Sequence, residues 1–436
     1  MKYVLIICSL FLAVNFASAQ NIVSLEQAFE SAMKNNHQIQ ISALQSDIAN
    51  NNANPGQAGL LPKVDLTGGY NYSNSNADLT FATGGPPMEN LSAESKGYNS
   101  SIGMSYVLFN GFGNTYQFKL LQQQDSTANI QEKLSIESTL VQVSNVYLEI
   151  CRQQEQLKIA MEMLEISKDR LSRLKNAQTY GVANSIDVLN AEVDYNNDQS
   201  NLVNIEYALN MAKRNLSLLV NEDLGTNYEV QTELIINGSL IHDELKQKSL
   251  KNNSNLLLAQ SNITQQEYME KIQKSFYMPR ISINTSYGYS FSESNASLIL
   301  SNQNLGLTGS VGLAWNLFDG NKRKTAIQNA AILLQTNEIA YDQAKKSVDK
   351  DFENTFELYQ TQLKLTQLET RNLSVAQANF DKSKALYEKG QLTSLQFREA
   401  QINLIRVKNK LNNSTFASKM TEIELKRLAG DLLQNQ

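Results

Sequence analysis

Cysteine is almost missing from this chain of 436 residues: Cys8 and Cys151 are the only two. Cys8 lies in the leading apolar run, so removal of that run leaves one thiol and no possible intrachain disulfide. Stability must then come from packing or assembly. Histidine is equally scarce, and His37 and His242 stand too far apart in sequence to suggest a metal site. No nucleophile–base pair and no glycine-rich phosphate loop is visible, which argues against an enzyme and against any cofactor. No basic cluster stands out and the net charge is −5, which argues against nucleic acid as a partner. Beyond the first residues no stretch approaches about 18 unbroken apolar residues, so no transmembrane helix is expected. Proline occurs only at 55, 62, 86, 87 and 279, so nothing forbids long helix from Met88 to Met278 or from Arg280 onward.

What is present begins with an address. Lys2 precedes an apolar run from Val4 to Val14, and Asn15-Phe16-Ala17-Ser18-Ala19 ends in a small-x-small pattern, so residues 1–19 read as a secretory signal. The rest repeats itself. Lys34-Asn35-Asn36 returns as Lys251-Asn252-Asn253, and Leu61-Pro62-Lys63-Val64 as Met278-Pro279-Arg280-Ile281. Val107-Leu108-Phe109-Asn110-Gly111 returns, at a slightly shorter offset, as Asn316-Leu317-Phe318-Asp319-Gly320. Two long copies suggest one duplicated unit rather than a solenoid. The first is expected over residues 20–222, an equatorial linker over 223–240, and the second over 241–436.

Each copy reads as helix, two strands, very long helix, turn and helix. A helix is expected from about Ser24 to Leu61, stopped by Pro62 because the residue before proline is pushed out of the α region. Strands follow at about 63–74 and 98–109, and in the second copy at about 280–291 and 305–317. All four alternate: Val64, Leu66, Tyr70 and Tyr72 fall on one face, Asp65, Thr67, Asn71 and Ser73 on the other. Apolar outside and small-polar inside, at about 11 residues each, match a membrane barrel strand. A soluble sandwich also alternates. The nearly charge-free inner faces favour the barrel, as do the aromatics near strand ends: Tyr70, Tyr72, Tyr106, Tyr287, Tyr289 and Trp315 read as an interfacial girdle. Asn74–Gly97 and Ser292–Asn304 read as exposed loops. In the linker, short strands are expected near Tyr228–Val230 and Glu233–Ile236.

Past Gly113 the stretch to Thr179 holds neither proline nor glycine, enough for a helix on the order of 100 Å long. Ile136, Leu140, Val143, Tyr147, Ile150, Leu157, Met161, Leu164 and Leu171 follow coiled-coil spacing along it. Phe352, Phe356, Tyr359, Leu363, Leu373, Phe380 and Tyr387 do so in the second copy. Tight turns are expected at about 180–185 and 389–394, each followed by a returning helix capped by Ser185 or Ser394. Four strands cannot close a barrel, and an open sheet edge in lipid costs several kcal/mol per unpaired group, so the chain must oligomerise. Two copies give 8 strands; three give 12 and leave a water-filled interior. An exit duct and a barrel-anchored surface adhesin or structural coiled-coil protein both meet these terms. Strands inserted twice into helical repeats favour the duct.

These features together resemble the TolC-like outer-membrane efflux protein family over essentially the whole mature chain. The duplication carries the likeness, with Leu61-Pro62-Lys63-Val64 and the Leu-Phe-Asn-Gly and Leu-Phe-Asp-Gly turns. The helix–turn–helix stretches Tyr180 to Glu192 and Tyr387 to Leu395 carry it further. The resemblance implies a mixed fold, a membrane β-barrel joined to a long α-helical coiled-coil barrel. It implies a homotrimer with four strands per chain in one 12-stranded barrel, set in outer-membrane lipid with its helices in the periplasm. Its partners would be a periplasmic adaptor and an inner-membrane pump of RND or ABC type, in a tripartite efflux or type I secretion system. Tyr180, Gly181, Val182, Lys389, Gly390 and Gln391 would be the adaptor-facing tips. Asp187 and Tyr387 match positions that link neighbouring tip coils at the entrance. Gln396 and Glu399 fall where some members carry two acidic rings, so one ring is missing and strong cation selectivity is not implied. Gln20, rather than a lipidated cysteine, stands at the expected mature N-terminus.

Overall fold

The computed structural model describes residues 22–433 except 81, 83, 237, 239 and 298, and omits the side chains at 77, 79, 88, 90 and 91. The expected signal, 1–19, lies outside the described residues. The chain divides into two compact units. One gathers Met1–Ile41, Lys133–Asn253 and Ser347–Gln436; the other gathers Ser42–Glu132 and Ser254–Lys346.

The elements follow in the order β1 (Ile22–Val23), α1 (Leu25–Asn35), α2 (His37–Asn52), β2 (Lys63–Leu79), β3 (Met88–Phe109), α3 (Gly113–Thr179), α4 (Ser185–Val220). Then come β4 (Glu229–Val230), α5 (His242–Asn252), α6 (Ser254–Ser275), β5 (Arg280–Ser294), β6 (Ser301–Ala314), α7 (Lys322–Glu388) and α8 (Ser394–Leu428). The expected single helix from Ser24 to Leu61 is interrupted twice. Asn36 is extended (φ −63, ψ 127), and its Oδ1 accepts from Gln38 N and Ile39 N, capping a fresh helix. Its Nδ2 donates to Leu219 O at 2.7 Å. Asn253 repeats the device, donating to Leu428 O at 3.0 Å. This is what the duplicated Lys-Asn-Asn motif does: its last asparagine breaks one helix and holds the end of another. The second break falls at Asn52, because Pro55 cannot continue the ladder and Gly59 turns at φ +72.

The sheet lies in the second unit, antiparallel in the order β2-β3-β5-β6. Registers such as Thr67↔Ser101, Ser101↔Gly288 and Ser286↔Thr308 put the small polar residues on one face. Hydroxyls meet across it, Thr67 with Ser101 and Ser286 with Thr308, both at 2.9 Å. β2 and β3 run beyond the expected loop boundaries, pairing through Asn74↔Glu94 and Asn76↔Ser92. Hairpin arms in water need ladder partners but no apolar face, so the lost alternation misplaced their ends. β6 starts earlier than expected and stops at Ala314, leaving Trp315 just past the strand with its Nε1 donating to Tyr277 O at 3.0 Å.

The core of the first unit is built on α3. Leu140, Val143, Tyr147, Ile150 and Cys151 are buried with Phe29 and Ala32 of α1, Leu209 and Leu216 of α4, and Phe416 of α8. Tyr147 donates its hydroxyl to Val23 O at 2.9 Å, tying in β1, which pairs in parallel with β4. Glu233–Ile236 forms no strand. Burial pushes the Cys151 thiol up to about 12, so it packs as an inert apolar group. A second cluster sets Phe352, Phe356 and Tyr359 of α7 against Leu245 and Leu425. Beyond Leu157 the buried face of α3 shifts. Met161 is exposed, and Ala160, Met163, Ser167 and Arg170 are buried in its place. A straight helix drifts about 20° per heptad from a strict seven-residue seam.

Candidate functional site

Two features carry chemistry beyond packing: the helical turns and their buried support in the first unit, and the strand faces in the second.

At the first turn Gly181 sits at φ +73, and Val182 N donates back to Ala177 O at 2.8 Å. Asn184, one residue before the expected Ser185, caps α4 by accepting from Asp187 N at 2.9 Å. The second turn copies it, with Gly390 at φ +73 and Gln391 N bonded to Leu386 O. There Thr393 rather than Ser394 is the cap, because it forms a reciprocal box with Gln396 three residues on. Gln396 thus has a local task, accepting from Thr393 N at 3.1 Å through its Oε1, which a glutamate would do equally well. Lys389, Gly390, Gln391, Gln396 and Glu399 are all exposed. Tyr180 and Val182 are each 83% exposed, with Ile186 and Leu189 exposed beside them.

Tyr387 stacks on Phe397 with ring centroids 4.8 Å apart and planes 10° apart. Burial raises its pKa most; Arg170, Ser394 and Arg173 pull the other way, and the phenol stays neutral. Asp187 lies half-buried in the first turn of α4. Among the described residues Tyr387 and Asp187 share no hydrogen bond within the chain.

Sequence reasoning missed the most strongly built polar cluster. Arg170 of α3 is among the largest fully buried side chains and pairs with Asp194 of α4. Arg398 of α8 reaches Asp198 of α4 at 2.7 and 2.9 Å and lies 3.6 Å from Asp194. Ser167 donates to Asp198, and Gln401 donates to Ser167 Oγ at 3.1 Å and Met163 O at 3.2 Å. Burial works against the Arg398 charge, but the hydrogen bond to Asp198 and the two carboxylates outweigh it and raise its pKa. Three helices are thereby joined by groups that cannot be separated without stranding a buried charge. The available signal was the i,i+4 acidic pair Asp194 and Asp198 facing a seam that turns polar at Ser167.

A second cluster is pH-dependent. His242, at the start of α5, packs edge-on against Phe356 at 4.8 Å. Its Nδ1 lies 2.9 Å from Asp243 and its Nε2 lies 3.1 Å from Glu353, which also binds Lys246, itself 3.1 Å from Asp349. Asp243 first, then Glu353, raise the His242 pKa; Lys246 first, then His242, lower that of Glu353. The histidine contribution is fully present below its unfolded pKa and lost as pH rises through the raised folded value. The glutamate contribution is present above its unfolded pKa and lost as pH falls through the lowered one. Amide protection at the start of α5 should therefore fall as pH rises past the His242 pKa. In hydrogen exchange, His242→Gln should flatten that limb; an unchanged limb would show that His242 is not its source.

On the sheet's apolar face Tyr70 opposes Tyr98, and Tyr98 stacks on Phe291 at 5.0 Å and approaches Tyr289 at 5.8 Å. With Tyr72 they form an aromatic band at one end of the strands. Tyr287 lies one step inward, and Tyr106 and Trp315 lie toward the opposite end. Between them Leu66, Ile102, Leu305, Leu307 and Val311 are all exposed. Among the described residues no helix is long and apolar enough to cross a membrane, and no three His, Cys, Asp or Glu side chains gather to hold a metal.

Lipid-type strands in an open sheet, inserted twice between long paired helices, define an outer-membrane channel protein. The family model described as outer membrane efflux protein matches residues 28–222 and 245–431, and the chain belongs to that family. It is an efflux channel of the outer membrane, not an enzyme. The chain is 22% identical to the outer membrane protein TolC of Salmonella enteritidis, over 96% of this chain and 84% of that protein. It is also 22% identical to the probable outer membrane lipoprotein SilC of Salmonella typhimurium, over 90% of this chain and 83% of that one. Its fold is similar to that of a membrane protein from Pseudomonas aeruginosa, with a TM-score of 0.80 at 15% identity, covering 95% of this chain and 92% of the other. Membership implies a trimer working in a tripartite efflux system.

Proposed function

We propose that this protein is the homotrimeric exit duct of its system, passing substrate from a periplasmic adaptor and an inner-membrane pump of RND or ABC type to the exterior. The carrying observation is the pair of glycine turns with exposed apolar neighbours. Tyr180 and Val182 stand 83% exposed at the first, Leu395 71% exposed just past the second. Unpaired apolar surface at a helix tip calls for a protein partner. Lys389 and Gln391, exposed beside Gly390, complete a docking tip facing the adaptor. Tyr387 and Asp187 act across neighbouring protomers at the entrance, where Glu399 also lies. A neutral phenol and a half-exposed carboxylate that share no hydrogen bond among the described residues suit such a link. The aromatic ends and apolar middle of the sheet suit outer-membrane lipid.

Placing a photo-crosslinking residue at Lys389 in living cells tests the tip. Irradiation should capture a periplasmic adaptor, and that adaptor's own pump names the energy source. A trimer correctly placed in the outer membrane that captures no adaptor from either tip would contradict the docking assignment.

A further inference from the structure

We infer that the barrel passage favours anionic permeants, through a ring of cations that the duplication places at the helix-side end of the strands. The inference rests on the reading that copies of this chain close the sheet into a barrel. Along the paired stretches of β2, β3, β5 and β6, the described residues of the polar face are mostly serine, threonine, asparagine and glycine, with three ionic groups among them. These are Lys63, Asp65 and Arg280. Lys63 opposes Ser105, Ser105 opposes Asn284, and Arg280 opposes Ala314, so all three lie at the strand ends that follow Pro62 and Pro279. Lys63 and Arg280 belong to the repeated Leu-Pro-Lys-Val and Met-Pro-Arg-Ile motifs, so each copy of the duplication supplies one cation.

Lys63 is bridged to Asp65 at 2.9 Å, with the two side chains 74% and 46% exposed. Arg280 is exposed and has no ion pair among the described residues. Each chain thus contributes two cations and one carboxylate to the passage, and a guanidinium cannot shed its charge at any working pH. Beyond this end the paired polar face is neutral among the described residues, and the acids Asp78, Glu89 and Glu94 lie only on the hairpin arms at the far end of β2 and β3. A ring of like charge in a walled pore raises the local concentration of the opposite ion and sets selectivity. The remaining pair nearby, Lys96 and Glu293 at 3.6 Å, lies on the apolar face toward the other end of the strands. It is balanced and outside the passage.

The test is the zero-current potential of the purified full-length trimer in a planar bilayer under a KCl gradient. Arg280→Ser should lower the chloride-to-potassium permeability ratio by at least about two-fold. Asp65→Asn should raise it. Arg280→Lys and Lys96→Ser should leave it at the wild-type value. Conducting Arg280→Ser channels with an unchanged ratio, or an equal shift from Lys96→Ser, would overturn the cation ring while leaving the barrel intact. Wild-type protein that forms no channel would overturn the closure reading, and the ring with it.

Discussion

Asp198→Ala should cost about 3–5 kcal/mol, although Asp198 lies outside the main apolar core. Its carboxylate takes both ends of the Arg398 guanidinium, whose side chain is only 10% exposed. Without it, Arg398 must share Asp194 with Arg170, whose side chain is 1% exposed, and one buried cation is left short of a counter-charge. Asp169→Ala removes the nearby Asp169–Arg173 pair, whose side chains are 56% and 47% exposed, and should cost less than about 1 kcal/mol. The loss should be local in hydrogen exchange, opening the first half of α8 and the facing part of α4 before the α3 core near Tyr147. The double change Arg398→Met with Asp198→Leu should recover most of the deficit, since it removes both charges together. Equal costs for Asp198→Ala and Asp169→Ala would mean that the cluster is only a solvated surface network.

Gly288→Val should remove the protein from the outer membrane. A Cβ at Gly288 would lie 2.5 Å from the Ser101 Cβ and 3.0 Å from Ser100 O, inside the β3–β5 ladder itself. Neither neighbour is a flexible side-chain end that could swing away. Valine would force the two strands apart and expose backbone groups to lipid at several kcal/mol each. The expected result is at least about a tenfold fall in heat-resistant oligomer in outer-membrane fractions. Gly309→Ala is the matched control, because its added Cβ meets only the Thr285 methyl at 3.8 Å. Normal assembly of Gly288→Val would show that the β3–β5 register differs from the one described.

Much of this was legible because long-period features survive in a single sequence. The doubled Pro-cation-aliphatic motif, the alternation from Val64 to Tyr72 and the proline-free run after Gly113 each have one physical reading. Features decided by tertiary contact were not legible. Nothing local marks Asn36 as a helix break until its amide is seen on Leu219 O. Thr393 displaced Ser394 as a cap because Gln396, its third neighbour, bonds back to it, and Asn184 displaced Ser185 by accepting from Asp187 N. Arg170 and Arg398 were passed over because charges are ordinarily solvated, and only the approach of α4 shows otherwise. The extended arms of β2 and β3 were missed where polar residues occupy both faces. The tip residues were found through resemblance, whereas Lys63 and Arg280 stood in view inside a motif read for its duplication and for the proline that ends the helix.

On the proposed function, the open sheet with edges β2 and β6 becomes a channel only when three copies close it. Cysteines introduced in pairs along those two edges, one on β2 and one on β6, test this directly after mild oxidation of whole cells. Cys151 is buried and should not interfere. Edge-to-edge disulfides between chains and a non-reducing ladder that ends at the trimer are expected. Crosslinking within a single chain, or a ladder that stops at two or runs past three, would contradict closure by three copies.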